Sequence, residues 1–149
     1  MKIGLTADHR GFKLKGKLTK YLTKKGYDIV DYGTSSLNPV DYSDLGIDIG
    51  EGYKKKEFDY GIAICGSGIG ISIACNKVKG VRCAKVDNVR DAKMAREHND
   101  ANIIAIGSNK LFFEIKDIID AFLKTKFTEE ERHVRRIKKI SDYEGHRWI

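Results

Sequence analysis

The sequence predicts a three-layer α/β/α sandwich built on a five-stranded parallel sheet, with one further helix at the C-terminus. Three observations carry this. Short apolar runs alternate with longer stretches whose apolar residues recur at helical spacing. Runs such as Ile62–Cys65 and Ile103–Ile106 are continuously apolar, as strands covered on both faces are. The 149 residues, 41% hydrophobic and 33% charged, suit one core of ordinary size and hence one domain over 1–149.

Lys2–Ala7 reads as a short buried strand. Gly11–Lys25 reads as a helix with Phe12, Leu14, Leu18, Tyr21 and Leu22 turned inward, ended by Gly26 at the usual stop position. Arg10, Lys13, Lys15, Lys17, Lys20, Lys24 and Lys25 match the net charge of +7, and the lysines are expected to form this helix's solvated face. Tyr27–Tyr32 is a second strand, followed by the loop Gly33–Pro39 with the only proline. Asp41–Lys56 is a weaker helix with Tyr42, Leu45, Ile49 and Tyr53 on one face. Tyr60–Cys65 is a third strand, and Gly68–Val78 opens with glycines before becoming a helix. Val81–Val86 and Ala101–Ile106 are strands, followed by helices Val89–Glu97 and Leu111–Leu123. Glu129–Ile140 is a last, highly charged helix. There is no internal repeat, low-complexity tract or linker. Right-handed crossovers then give a parallel, Rossmann-like sheet, whose ligands bind at the carboxyl ends of strands. Those ends hold Asp8, His9, Tyr32–Gly33, Cys65–Gly70, Asp87 and Gly107–Lys110.

Several function classes are excluded. No apolar run approaches the roughly 18 residues of a membrane span. Met1–Leu5 passes directly into a strand without signal-peptide architecture, so a soluble cytoplasmic protein is expected. Cys65, Cys75 and Cys83 are odd in number and lack CxxC spacing, which argues against a disulfide framework and a structural zinc site. The basic excess lies on one helix without interleaved aromatics, unlike a nucleic-acid surface. GFKLKGKL at Gly11–Leu18 lacks the magnesium-binding hydroxyl of a phosphate-binding loop, since its last position is Leu18. GSGIG at Gly66–Gly70 follows the third strand rather than the first and has Ile71 where a dinucleotide fingerprint needs glycine. No metal-ligand pattern appears, so neither metal nor cofactor is expected.

The chemistry concentrates at Cys65-Gly66-Ser67-Gly68-Ile69-Gly70. Glycines expose consecutive N–H groups suited to an anion, and a cysteine beside them favours its thiolate. A base next to an oxyanion site results. A buried cysteine before a packing loop is the plain alternative. Asp8-His9 can handle hydroxyl protons, or serve as a cap and a surface histidine. His98-Asn99 end a helix, where a histidine is favoured in its protonated form and suits a general acid, or merely caps. Arg132 and Arg136, four apart, can clamp a phosphate or form a solvated face.

Asp8-His9, Asp41-Tyr42-Ser43-Asp44, Cys65–Gly70, Ala95–Asn102 and Arg132-His133 with Arg136 together resemble ribose-5-phosphate isomerase type B, whose wider family includes allose- and galactose-6-phosphate isomerases. The motifs come in the family's order over nearly the whole chain. The resemblance implies a cofactor-free aldose–ketose isomerase of the pentose phosphate pathway, interconverting ribose 5-phosphate and ribulose 5-phosphate. It implies a homodimer or dimer of dimers with shared active sites. Carried over, Cys65 is the base moving a proton between C1 and C2. The backbone of Gly66, Ser67, Gly68, Ile69 and Gly70 holds the enediolate oxygen, with Ser67 keeping a hydroxyl. His98 is the acid that opens the furanose ring, assisted by Asp8. Asp8, His9, Tyr42 and Asn99 contact substrate, and Arg132 and Arg136 clamp the phosphate. Asn109 and Lys110 stand where relatives often have an arginine, and Arg10 where a small residue is common. The alternatives are a 6-phosphohexose isomerase and a non-catalytic nucleotide- or nucleic-acid-binding α/β domain, which needs neither the Cys65 loop nor His98-Asn99.

Overall fold

The computed structural model describes residues 1–147. The elements are β1 (Lys2–Ala7), α1 (Phe12–Lys24), β2 (Asp28–Asp31), α2 (Tyr42–Lys54), β3 (Tyr60–Cys65), α3 (Ile69–Cys75), β4 (Cys83–Lys85), α4 (Val89–Asn99), β5 (Ile103–Gly107), α5 (Phe112–Lys124) and α6 (Glu131–Arg147). The sheet is parallel throughout, in the order β2-β1-β3-β5-β4. Because side chains alternate along a strand, Ile62, Ile64, Ile104 and Ile106 face one layer and Ala63, Cys65, Ile103 and Ala105 the other. The first layer is completed by α1, α4 and α5, the second by α2 and α3.

The chain leaves β1 through α1 to β2 on one side, then crosses by α2 to β3 on the other. The crevice between the carboxyl ends of β1 and β3 is therefore a topological switch point, where open α/β sheets bind ligands. In register, Ala7 stands opposite Ile64, and Cys65 opposite Gly107.

Four expectations need correction. Lys15 is not on the solvated face of α1: it is 4% exposed, and its ammonium binds Asp31 at 2.6 Å and the Thr34 carbonyl at 2.7 Å. The C-terminal helix runs to Arg147 rather than Ile140, carried by the Lys138–Asp142 ion pair and anchored where Gly80 N–H donates to Glu144 Oε2 at 2.9 Å. It starts two residues late because Glu129 takes φ 57°. The fourth strand contracts to Cys83–Lys85, an edge strand paired with β5 alone. α3 ends at Cys75 instead of Val78.

Candidate active site

Asp8 and Cys65 meet at the switch point. Asp8 is 4% exposed and tied to the neighbouring strand by its own N–H, which donates to the Ile64 carbonyl at 3.0 Å. Its Oδ1 accepts from the N–H groups of Arg10 at 2.9 Å and Gly11 at 3.2 Å. Asp8 thus fixes the turn into α1, while the N-cap position itself is Gly11. Cys65 ends β3, also 4% exposed, and its Sγ accepts the Gly68 N–H at 3.1 Å. That bond fixes the position of the sulfur at the mouth of the glycine loop.

Gly68 makes this turn possible. It takes φ 77°, and a Cβ there would lie 2.9 Å from the Ile106 carbonyl carbon. The Ile69 N–H donates to Ser67 Oγ at 3.2 Å, so Ser67 caps the loop as well as facing solvent. Gly70 and Ile71 follow in the first turn of α3, where no earlier carbonyl takes their N–H groups. The Tyr42 ring lies directly on Gly70, 2.6 Å from where a Cβ would stand. His9 Nδ1 accepts the Val40 N–H at 3.2 Å, which orients the ring and leaves Nε2 as its other nitrogen. These groups border a cleft of about 540 Å³ that also takes in Arg10 and Asp41.

His98, Asn99, Arg132 and Arg136 lie elsewhere. α4 starts beyond the carboxyl end of β4 and its 11 residues run back roughly 16 Å to the opposite edge. There Arg82, just before β4, donates from Nε to the Asn99 carbonyl at 3.1 Å. His98 stacks on His133 of α6, with ring centroids 4.4 Å apart and planes 13° apart. His133 is 5% exposed and its Nε2 has no partner. Burial, then the neighbouring His98, Arg132 and Arg136, hold its pKa below the ordinary 6.5, against the pull of Glu130. Arg132 pairs with Glu130 at 2.9 Å, one helical turn from Arg136. Within one chain, then, Cys65 and His98 occupy opposite edges of a sheet about 17 Å deep.

Beyond β5, Lys110 turns to Asp87 at 3.6 Å. Lys85 also binds Asp87 and, with Lys110, holds its carboxyl below the usual range. Asn109 Oδ1 sits beside Gly107, 3.1 Å from where a Cβ would stand. Tyr32, at the end of β2, is spent on a bond to Glu57. Cys83 is not reactive: its neighbour Cys75 and its burial push its thiol well up. Sequence reasoning did not place Arg10 or Asp41 in the cleft, although both adjoin residues that it did place there. Nor did it place His133 against His98, because that stacking is a tertiary contact without a spacing signal. Among the described residues, no three His, Cys, Asp or Glu side chains converge as a metal site, and no helix is long and apolar enough to cross a membrane.

A profile of the Ribose/Galactose Isomerase family matches residues 3–140. Ribose-5-phosphate isomerase B of Escherichia coli (strain K12) is 37% identical over 147 residues, 98% of each chain. The solved structure of Clostridium thermocellum ribose-5-phosphate isomerase B superposes with a TM-score of 0.94 at 46% identity, covering 98% of this chain and 99% of that one. The Mycoplasma genitalium ribose-5-phosphate isomerase B, solved with bound ribulose 5-phosphate, gives a TM-score of 0.90 at 37% identity over 97% and 96%.

Proposed function

The chain belongs to the Ribose/Galactose Isomerase family, and from that premise we propose that it interconverts D-ribose 5-phosphate and D-ribulose 5-phosphate in the pentose phosphate pathway. The observation that carries the reading is the Cys65 thiol, held by the Gly68 N–H at the switch point beside a glycine loop. Cys65 takes the proton from C2 of the open-chain aldose. The electron pair moves onto the carbonyl oxygen at C1, giving an enediolate. The N–H groups of Gly70 and Ile71 receive that oxygen, where fixed donors act without reorganising. A proton then passes from the hydroxyl on C2 to the oxygen on C1, so that the charge rests on the C2 oxygen, and returning the carbon-bound proton to C1 gives the ketose. Ser67 and the free oxygen of Asp8 serve the sugar hydroxyls, with Nε2 of His9 and the Tyr42 hydroxyl as further contacts. The step is a proton transfer between protein and substrate atoms, and no cofactor enters it.

Ring opening and phosphate binding need His98, Asn99, Arg132 and Arg136, which one chain holds at the far edge. A second copy is our answer. Ile69 and Ile73, one turn apart on α3 beside the glycine loop, are each 55% exposed, and Tyr42 is 46% exposed. This apolar rim suits a partner that brings its own α4 and α6 ends over the cleft and excludes water. We read the assembly as a homodimer, or a dimer of such dimers, of one-domain subunits over 1–149. The three free thiols suit the cytoplasm.

The deciding assay measures conversion of ribose 5-phosphate against allose 6-phosphate, with EDTA present throughout. Faster turnover of ribose 5-phosphate, unaffected by EDTA, is expected. Preference for allose 6-phosphate would move the protein to the 6-phosphohexose branch, and turnover of neither would refute catalysis.

A further inference from the structure

The geometry points to Arg10 as a phosphate-binding residue of the Cys65 cleft. Among the residues bordering that cleft, Arg10 is the one permanent cation, against the carboxylates of Asp8 and Asp41. A cleft with this balance repels a phosphate dianion unless a cation answers it. Arg10 is free to do so. Among the described residues its side chain has no ion pair and no hydrogen bond. At the carboxyl edge the lysines of the same chain are committed, Lys15 to Asp31 and Lys85 and Lys110 to Asp87, so Arg10 is the cation that the cleft's own chain adds to the clamp proposed for Arg132 and Arg136.

The position of Arg10 is also fixed. Its N–H donates to the buried Asp8 carboxylate at 2.9 Å, which sets where the side chain leaves the backbone. The guanidinium then lies against Gly66, where a Cβ would stand 3.0 Å from Nη1 and 3.2 Å from Cζ. A planar fork held in this way offers paired N–H donors of the kind that suit phosphate oxygens. Depth decides which anion it meets. Cys65 lies at the cleft floor, where the Gly70 and Ile71 N–H groups already serve the developing oxyanion, whereas Arg10 is exposed at the mouth. The phosphate is the far end of the substrate from the reacting carbons, so it is the group left at the mouth. The assignment to the sugar's phosphate rests on the isomerase reading; the availability of Arg10 to an anion at the cleft mouth does not.

The test uses the full chain as Arg10→Gln and Arg10→Lys, with two readouts: kcat and KM for ribose 5-phosphate, and the affinity for inorganic phosphate by calorimetry. Loss of a charge-assisted contact should raise both KM and the phosphate Kd about tenfold or more in Arg10→Gln, with kcat little changed. Arg10→Lys should recover part of both. The exposed side chain predicts unaltered melting temperatures in phosphate-free buffer, which checks that each variant is folded. An unchanged phosphate Kd in Arg10→Gln would overturn the proposal. So would a loss confined to kcat, which would place Arg10 on the enediolate, or a wild-type protein that binds no phosphate. Wild-type protein that binds phosphate through Arg10 yet turns over no ribose 5-phosphate would refute the isomerase reading and uphold this one.

Discussion

Cys65→Ala and His98→Asn should each be inactive alone and should restore activity when their subunits are exchanged. The reasoning is geometric. Cys65 closes β3 at the carboxyl edge of the sheet, and α4 carries His98 back to the amino edge, where Arg82 fixes the Asn99 carbonyl. The two edges are about 17 Å apart, far beyond a shared contact with one pentose. If both residues act on one sugar, as proposed, the site takes Cys65 from one subunit and His98 from the other. In a two-fold dimer both pockets are equivalent, so a mixed dimer has one pocket with both lesions and one with neither. Random pairing makes half of the dimers mixed, and each of these has one working site of two. Recovered activity should approach roughly a quarter of wild type. Ribulose 5-phosphate formation is the assay, with exchange verified by native mass spectrometry of differently tagged chains. Confirmed mixed dimers without recovered activity would refute the shared site, because sites formed within one chain would all carry a lesion.

Cys65→Ala alone should lower kcat by roughly 10²–10⁴-fold, the usual cost of losing a general base, while Cys75→Ala and Cys83→Ala retain turnover and lose only stability. Near-normal steady-state rates in Cys65→Ala would remove it from the mechanism. Arg132→Ala and Arg136→Ala should both raise KM for ribose 5-phosphate about tenfold or more. The larger rise is expected at Arg136, because Arg132 already shares its charge with Glu130; unchanged KM in both would move the phosphate clamp elsewhere. His133 sets a pH dependence of stability. Its folded pKa lies below the ordinary 6.5, so below that pH the unfolded chain binds more protons and stability falls as pH drops. Melting temperatures from about pH 7.5 to about pH 5 should therefore fall less in His133→Phe than in wild type, and parallel curves would contradict this.

What the sequence disclosed depended on how local each signal was. The strands and helices were legible because continuous apolar runs mark buried strands and apolar residues at period 3.6 mark helices, each within a single element. The glycine loop was legible because the chemistry of Cys65 and its neighbours is contiguous. The insertion of β5 between β3 and β4 was not legible, since strand pairing joins segments distant in the chain. Lys15 shows the same limit on a smaller scale. By charge it belongs to the solvated face, yet Asp31 and the Thr34 carbonyl, both from beyond the helix, draw it inside. Asp87 and Tyr32 lie at strand ends as expected but are occupied by Lys85 and Glu57, so a strand-end position alone does not make a ligand contact.

The division of the site between two sheet edges has an electrostatic consequence. Cys65 is buried at the carboxyl edge, where its Sγ accepts the Gly68 N–H. Arg132 and Arg136 carry charges that would be expensive to bury beside the core, and in the single chain they remain exposed at the rim. In the proposed dimer a partner's arginines meet the cleft only with substrate between them, so no chain has to desolvate them in order to fold. The His98–His133 stack belongs to the same arrangement. A proton is disfavoured on buried His133, both by burial and by the charges around it. His133 therefore offers a neutral platform for His98, the less buried ring of the pair, in the role proposed for it as the acid that opens the sugar ring.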